Sequence, residues 1–384
     1  MSGHVEKMIA RTFLDIAQGL ETGSFEAKPR IAVTGFGSEH GEAEVFSAAL
    51  SAAKSGVDVT YIGTLEGDGV RTAKAENEDE AHKTMEQLLG QREIDGAVTM
   101  HYPFPIGVST VGRVATPGRG REIFLATTTG TSSTDRVEGM VKNAVYGIIT
   151  AKACGIAHPT VGILNVDGAR QTEADLKQLQ ENGYEFSFAS SARSDGGSVM
   201  RGNDLLSGSC DVMVTDPLTG NLLMKTMSAF TTGGSYESTG YGYGPGIGEE
   251  YDRLVLIVSR ASGAPVIANA IRFGAQLVKN HYLEIAQTEF AAANKAGLSE
   301  ILQARRASRQ SAAPDQAVTA PPKEVVTHAF AGIEVMDLED AVQHLWKAGI
   351  YAESGMGCTG PMVLVSEANG ERAAVLLKEG GWLN

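Results

Sequence analysis

Short apolar runs and amphipathic stretches alternate along most of this chain. KPRIAVTGFGS, DVTYIGT, IDGAVTM, REIFLATT, TVGILNV and CDVMVTD each hold an apolar run next to Gly, Asn, Asp or Thr, and read as buried strands. Between them, EAEVFSAALSAAKSG (closed by Gly56), EDEAHKTMEQLLGQ, DRVEGMVKNAVYGIITAKACG, TEADLKQLQENG and GNLLMKTMSAF carry the spacing of helices. Residues 1–28 also read as helical, with Met8, Ile9, Phe13, Ile16 and Leu20 on one face. Strand and helix periods that keep alternating predict an α/β fold: a mostly parallel sheet covered by helices on both faces. Ligands of such sheets bind beyond the carboxyl ends of the strands.

The pattern changes near residue 303, where QARRASRQSAAPDQAVTAPPKE is polar, rich in Ala and Pro, and without a clear period. It reads as a flexible linker over 303–324, after a core over 1–302. A flexible chain of about 20 residues spans roughly 25 Å, enough for the piece beyond it to be mobile. Over 325–384 the pattern returns: AGIEVM as a strand, then DLEDAVQHLWKAG as a helix capped by Asp337. Leu338, Ala341, Val342, Leu345 and Trp346 form the apolar stripe of that helix, and PMVLVSE and NGERAAVLLKEG add a strand and a helix. These residues predict a small α/β module.

Composition narrows the function classes. A formal net charge of -14 argues against nucleic acid as a partner. No apolar run is long enough to span a membrane, and MSGHVEKMIARTFLD lacks the apolar core of a secretion signal. Three widely spaced cysteines do not make a disulfide framework, so a cytoplasmic location is expected. No CxxC occurs and no histidine has metal-motif spacing to Cys358, so no metal site is expected there.

Candidate chemistry collects in the turns after strands. GFGSEHG at 35–41 stands where a dinucleotide fingerprint would, but its spacing is wrong, and Glu39, Glu42 and Glu44 would repel a pyrophosphate. TDPLTGNLLMK at 215–225 ends a strand at Asp216 and opens a helix. Thr219, Gly220 and Asn221 there can present donors to an anion, with Lys225 about a turn beyond; an ordinary capped turn explains the same spacing. HYPFPIGVSTVGR at 101–113 reads as a rigid loop at the same sheet edge, in which His101 is either a general base or loop structure. TTTGTSS at 127–133 offers hydroxyls, and GYGYGPGIG at 240–248 is either a lid or a long connection. Cys154 and Cys210 lie in apolar surroundings and read as buried and inert. Cys358, within GMGCTG, has small neighbours that leave its sulfur open, and backbone N–H groups there can stabilise a thiolate or an oxyanion.

On these residues the chain resembles, over essentially its whole length and including GMGCTGPMVLV, the alpha subunits of component C of glycine/sarcosine/betaine reductase complexes. Residues 30–275 also resemble the phosphate acyltransferases of phospholipid synthesis. That likeness is carried by IAVTGFG, GIAHPTVGILNV, RGNDLLSGSCDVMVTDPLTGNLLMK and NAIR at 269–272. The acyltransferases usually have D-G-F-x-G-N where this chain has DPLTGN, with Pro217 in place of glycine, and they lack the linker and the Cys358 module.

The resemblance implies a three-layer, mostly parallel sheet of the phosphate acyltransferase and isopropylmalate dehydrogenase kind, with a small C-terminal α/β module. It implies that a two-carbon unit from a carboxymethylated selenocysteine of component A becomes an acetyl thioester on Cys358. Inorganic phosphate, the co-substrate, then releases it as acetyl phosphate. The implied partners are selenoprotein component A and the component C beta subunit, with no bound cofactor. Lys225 would be a phosphate ligand, and Asp216 would orient donors or the phosphate proton. A free-standing acyl-phosphate-forming transferase, and a non-catalytic scaffold with an incidental Cys358, stand as the alternatives.

Overall fold

The computed structural model describes Phe13, Ile16, Ala17, Leu20 and residues 28–192, 196–311, 319–331, 333, 337–357 and 360–383. The predicted N-terminal helix therefore falls largely outside the described residues. The chain divides into two compact units, Met1–Leu302 and Gln303–Asn384.

The first unit is built on β1 (Arg30–Thr34), α1 (Glu42–Ala53), β2 (Asp58–Gly63), β3 (Arg71–Lys74), α2 (Glu78–Gly90), β4 (Gly96–Thr99), β5 (Val108–Ala115) and β6 (Glu122–Thr131). It continues with α3 (Arg136–Ala153), β7 (Thr160–Leu164), α4 (Ala169–Glu181), β8 (Ser187–Phe188), β9 (Val199–Met200), α5 (Gly202–Ser207), β10 (Val212–Val214) and α6 (Pro217–Ser228). β11 (Gly244–Ile247), β12 (Val255–Ile257), α7 (Ala264–Lys279) and α8 (Tyr282–Lys295) follow, and α9 (Leu298–Ser311) crosses the division at Leu302. Twelve strands form one sheet in the order β3-β2-β1-β4-β12-β11-β5-β6-β10-β7-β8, with β9 beside β7.

Alternation along the strands produces three layers, because successive side chains point to opposite faces. Ile31, Val33, Val59, Tyr61, Val98, Phe124 and Ala126 join one core with residues of α1, α3, α4, α7 and α8. Their strand neighbours face the other way. Ala32, Ile62 and Ala97 meet Ala81 and Met85 of α2. Ile123, Leu125 and Met213 meet Leu205 of α5 and Met224 and Met227 of α6.

The sheet is mostly parallel, yet its two halves run in opposite directions. The steps β12–β11, β11–β5 and β5–β6 are antiparallel. Three reversals set β6, β7 and β10 against β1, β4 and β12. The turns after β4 and after β10 consequently leave opposite ends of the sheet, whereas the sequence reading put them at one edge. The reversals come from two strands that the sequence hid. Residues 108–113 of the expected proline loop are strand, and residues 244–247 of the expected lid or connection are a fully buried strand.

α9 extends to Ser311, so the first part of the predicted linker is helical. Ala, Arg and Gln are good helix formers, and Leu298, Ile301 and Leu302 anchor the first turns in the core, which outweighs the missing apolar period. Residues 312–318 lie outside the described residues.

The second unit holds an antiparallel sheet β13-β15-β14, of β13 (His328–Ala331), β14 (Ala352–Gly357) and β15 (Gly360–Val365). On it lie α10 (Leu338–Lys347) and α11 (Gly370–Glu379), through Leu338, Ala341, Val342, Leu345, Ala373 and Leu377. Asp337 makes no side-chain capping hydrogen bond. Much of the glycine loop read from GMGCTG is hairpin instead: Gly355, Met356 and Gly357 pair with Met362, Pro361 and Gly360. Cys358 and Thr359, between these strands in sequence, lie outside the described residues.

Candidate functional site

The glycine turn after β1 is closed by its own acids. Glu42 accepts from the Tyr61 hydroxyl at 2.6 Å and from the Thr64 amide and hydroxyl at 2.5 and 2.7 Å. Glu44 accepts from the Tyr236 hydroxyl at 2.6 Å and from the Ala264 amide at 2.8 Å, the free N–H of the first turn of α7. The Tyr236 bond and then the Ala264 amide hold the Glu44 carboxyl below its ordinary range. Glycine at 35 and 63 is needed to seat Tyr61: a Cβ on Gly35 would stand 2.2 Å from its hydroxyl oxygen.

The residues of the expected cradle at α6 do not converge. Asp216 is the N-cap of α6, and one carboxylate oxygen accepts from the Leu218 and Thr219 amides, both at 3.1 Å. Its other oxygen accepts from the Thr219 hydroxyl at 2.6 Å. The donors that would have met a phosphate are thus engaged by a side chain of the same turn. Asn221 donates to the Thr128 carbonyl at 3.1 Å, and a Cβ on Gly220 would stand 1.7 Å from the Thr127 carbonyl oxygen. Both residues hold α6 against β6. Three hydroxyls of the 127–133 stretch are also used internally: Thr127 donates to the Thr110 carbonyl, Thr128 to that of Tyr243, and Ser132 to the Asn143 side chain. Asp216→Ala is expected to cost about 1–2 kcal/mol of stability, read from the denaturant midpoint, because it frees the N-terminal amides of α6.

Lys225 belongs to the last turn of α6, about 13 Å along the axis from Asp216 at a rise of ~1.5 Å per residue. α6 runs back along the sheet, so its last turn reaches the edge where β1, β4 and β12 end. The Lys225 amine lies 3.4 Å from the Ser259 hydroxyl, just past β12, and 3.9 Å from the Glu237 carboxylate. The Lys225 side chain is 52% exposed and that of Glu237 is 3% exposed. Glu237 also accepts from the Tyr243 hydroxyl at 3.2 Å and from the Ser262 hydroxyl at 2.8 Å. Burial first, and then the charge and hydrogen bond of Glu237, push the Tyr243 phenol up, so it remains a donor.

His101 leaves β4 at this same edge, since the register pairs Ile257 with Thr99. It is exposed, and its carbonyl accepts from Thr99 at 3.4 Å. The sequence reading missed Glu237, Tyr243, Ser259 and Ser262. The apolar run LVLIV at 254–258, ending at Ser259, was the available signal for one of them.

Cys154 is half-buried and Cys210 is buried. Burial pushes each thiol up to about 12. Among the described residues no cluster of three or more His, Cys, Asp or Glu could hold a metal ion, and no helix is long and apolar enough to cross a membrane.

The edge where β1, β4 and β12 end thus carries a half-exposed lysine side chain paired with a buried carboxylate, and comparisons with known proteins define the class. A family described as "fatty acid synthesis protein" matches residues 29–364. The glycine/sarcosine/betaine reductase complex component C subunit alpha of Peptoclostridium acidaminophilum is 57% identical over 379 residues, 98% of this chain and 98% of that protein. The chain belongs to this family, and within it to the component C alpha subunits of glycine/sarcosine/betaine reductase complexes. It is also similar to the phosphate acyltransferase of Geobacillus sp. (strain WCH70), 33% identical over 137 residues, 32% of this chain and 39% of that one. Among solved structures, a branched-chain phosphotransacylase from Enterococcus faecalis V583 has a TM-score of 0.46 at 16% identity, over 65% of this chain and 99% of that one.

Proposed function

We propose that this protein is the acyl-carrying and phosphate-cleaving subunit of a glycine, sarcosine or betaine reductase. Cys358 holds an acetyl group as a thioester. Hydrogen phosphate attacks its carbonyl carbon, the C–S bond breaks, the sulfur leaves as thiolate and takes up the phosphate proton, and acetyl phosphate departs. A thioester is activated enough for this exchange to need no other energy source. Lys225 supplies the positive charge for the phosphate, its half-exposed amine lying 3.4 Å from the Ser259 hydroxyl. Asp216, Thr219, Gly220 and Asn221 support that site by fixing α6 to the sheet. The partners are the component C beta subunit and the selenoprotein that delivers the two-carbon unit.

The observation that carries this reading is the 57% identity to a component C alpha subunit over 98% of the chain, a span that takes in the Cys358 stretch. The chemistry is tested in reverse. Protein incubated with acetyl phosphate is digested and its peptides are weighed. An acetyl group on the Cys358 peptide, removed again by added phosphate, is the expected result. No acetyl group there, or one on another residue, overturns the reading. Turnover that is unchanged without the beta subunit and the selenoprotein points instead to a free-standing acyltransferase.

A second prediction concerns the thiols. Native protein treated with iodoacetamide at about pH 8, near the ordinary thiol value of ~8.5, is expected to take label at Cys358 alone. Cys154 and Cys210, with thiols pushed up to about 12, stay unlabelled until the chain is unfolded. Peptide mapping reads the outcome, and label at Cys210 in the native state would contradict it.

A further inference from the structure

Hydrogen bonds and one ion pair around Glu237 close a ring. Its carboxylate accepts from the Ser262 hydroxyl at 2.8 Å, and that oxygen in turn accepts from the Ser259 amide at 3.0 Å. The Ser259 hydroxyl accepts from the Ala261 amide at 3.1 Å and from the Lys225 amine at 3.4 Å. The amine returns to Glu237 at 3.9 Å. The backbone fixes the acid as well: the Glu237 amide donates to the Ala261 carbonyl and the Gly263 amide to the Glu237 carbonyl, both at 2.9 Å. One buried carboxylate thus ties the last turn of α6 to the turn after β12.

A buried carboxylate is costly unless its oxygens are matched by donors and a counter-charge. Tyr243 and Ser262 would satisfy a neutral amide in part. Among the described residues Lys225 is the cation within 4 Å, and it keeps half of its surface in solvent. A packing role alone does not call for a charge at this position. A free lysine has a flexible stem with many rotamers, and an anion that binds it must immobilise it.

We infer that Glu237 is a positioning residue for phosphate, holding the Lys225 amine and the Ser259–Ser262 turn in the arrangement that receives the anion. This deepens, and rests on, the reading of Lys225 as the phosphate ligand. Glu237 does not touch phosphate and acts through Lys225. Charge alone would favour the opposite effect, since removing an acid beside an anion site strengthens anion binding. The sign of the measured change therefore separates positioning from simple electrostatics.

The test is inorganic phosphate binding by the full chain, followed by calorimetry or by broadening of the phosphorus resonance, for wild type, Lys225→Gln, Glu237→Gln and the double variant. Glu237→Gln is expected to weaken phosphate binding by about tenfold, the scale of a lost charge-assisted contact. In the Lys225→Gln background the same change is expected to do almost nothing, because neighbours acting through one group are not additive. Unchanged or tighter binding in Glu237→Gln overturns the inference, as do effects that simply add. If Lys225→Gln itself binds phosphate like wild type, the underlying site reading fails instead, which is a distinct result. Thermal unfolding of each variant shows that binding is read on folded protein. Should Glu237→Gln not fold, Ser262→Ala cuts the ring at another point and is expected to weaken binding in the same direction; wild-type affinity there overturns the inference.

Discussion

Replacing Cys358 by serine is expected to reduce acetyl phosphate formation on the order of a thousandfold or more, the scale on which loss of a covalent nucleophile acts. The substitution removes one property and leaves size nearly unchanged. A thiol ionises near pH 8.5, so thiolate is both an able nucleophile and an able leaving group; a serine hydroxyl is neither at neutral pH. An acetyl group that did reach the serine would sit in an ordinary ester, without the activation that lets phosphate displace it. The measurement is acetyl phosphate released by the reconstituted complex, with a thermal melt beside it. A serine variant that folds normally and turns over within tenfold of wild type would leave Cys358 without a chemical role, as a scaffold reading predicts.

The second large effect is structural. Gly244→Ala is expected to cost more than about 4 kcal/mol and to lower Tm by roughly 6 °C or more, or to prevent soluble expression. Gly244 has a φ of 89°, in the left-handed region, and a Cβ there would stand 1.7 Å from the Val111 carbonyl oxygen. Both are backbone groups of the buried strands β5 and β11, so neither can rotate aside. Gly233→Ala is the control: its φ is 73° but nothing lies within 4 Å of the added carbon, and a loss of only about 1 kcal/mol is expected. A Gly244→Ala variant as stable as that control would refute the packing argument.

Parallel strands with apolar cores, such as RIAVT and TVGIL, were legible because burial on both faces leaves a run of branched residues. The two antiparallel strands were not. β11 reads GPGI, a composition that marks turns, and it is a strand because close backbone neighbours leave space only for glycine at Gly244. β5 follows two prolines and carries polar side chains, since Ser109 and Thr110 turn their hydroxyls to Asn143 and Thr128. Missing both strands meant missing the reversal of direction, and with it which neighbours the last turn of α6 reaches; the separation of Asp216 from Lys225 follows from the helix alone. The motif TDPLTGNLLMK marked a strand end and a capped helix start, and both are observed. Glu237 and Ser259 were invisible for another reason: they lie 12 and 34 positions from Lys225 and meet it only in the folded chain.

α9 has a practical consequence for dissecting the protein. It runs unbroken from Leu298 to Ser311, while the compact units divide at Leu302. A fragment ended at that division would stop within the first turns, leaving carbonyls with no amide to accept from and a frayed tail on the apolar anchor. A shortened protein carried on through Ser311 keeps those bonds, and it is the better starting point for asking what the first unit does by itself.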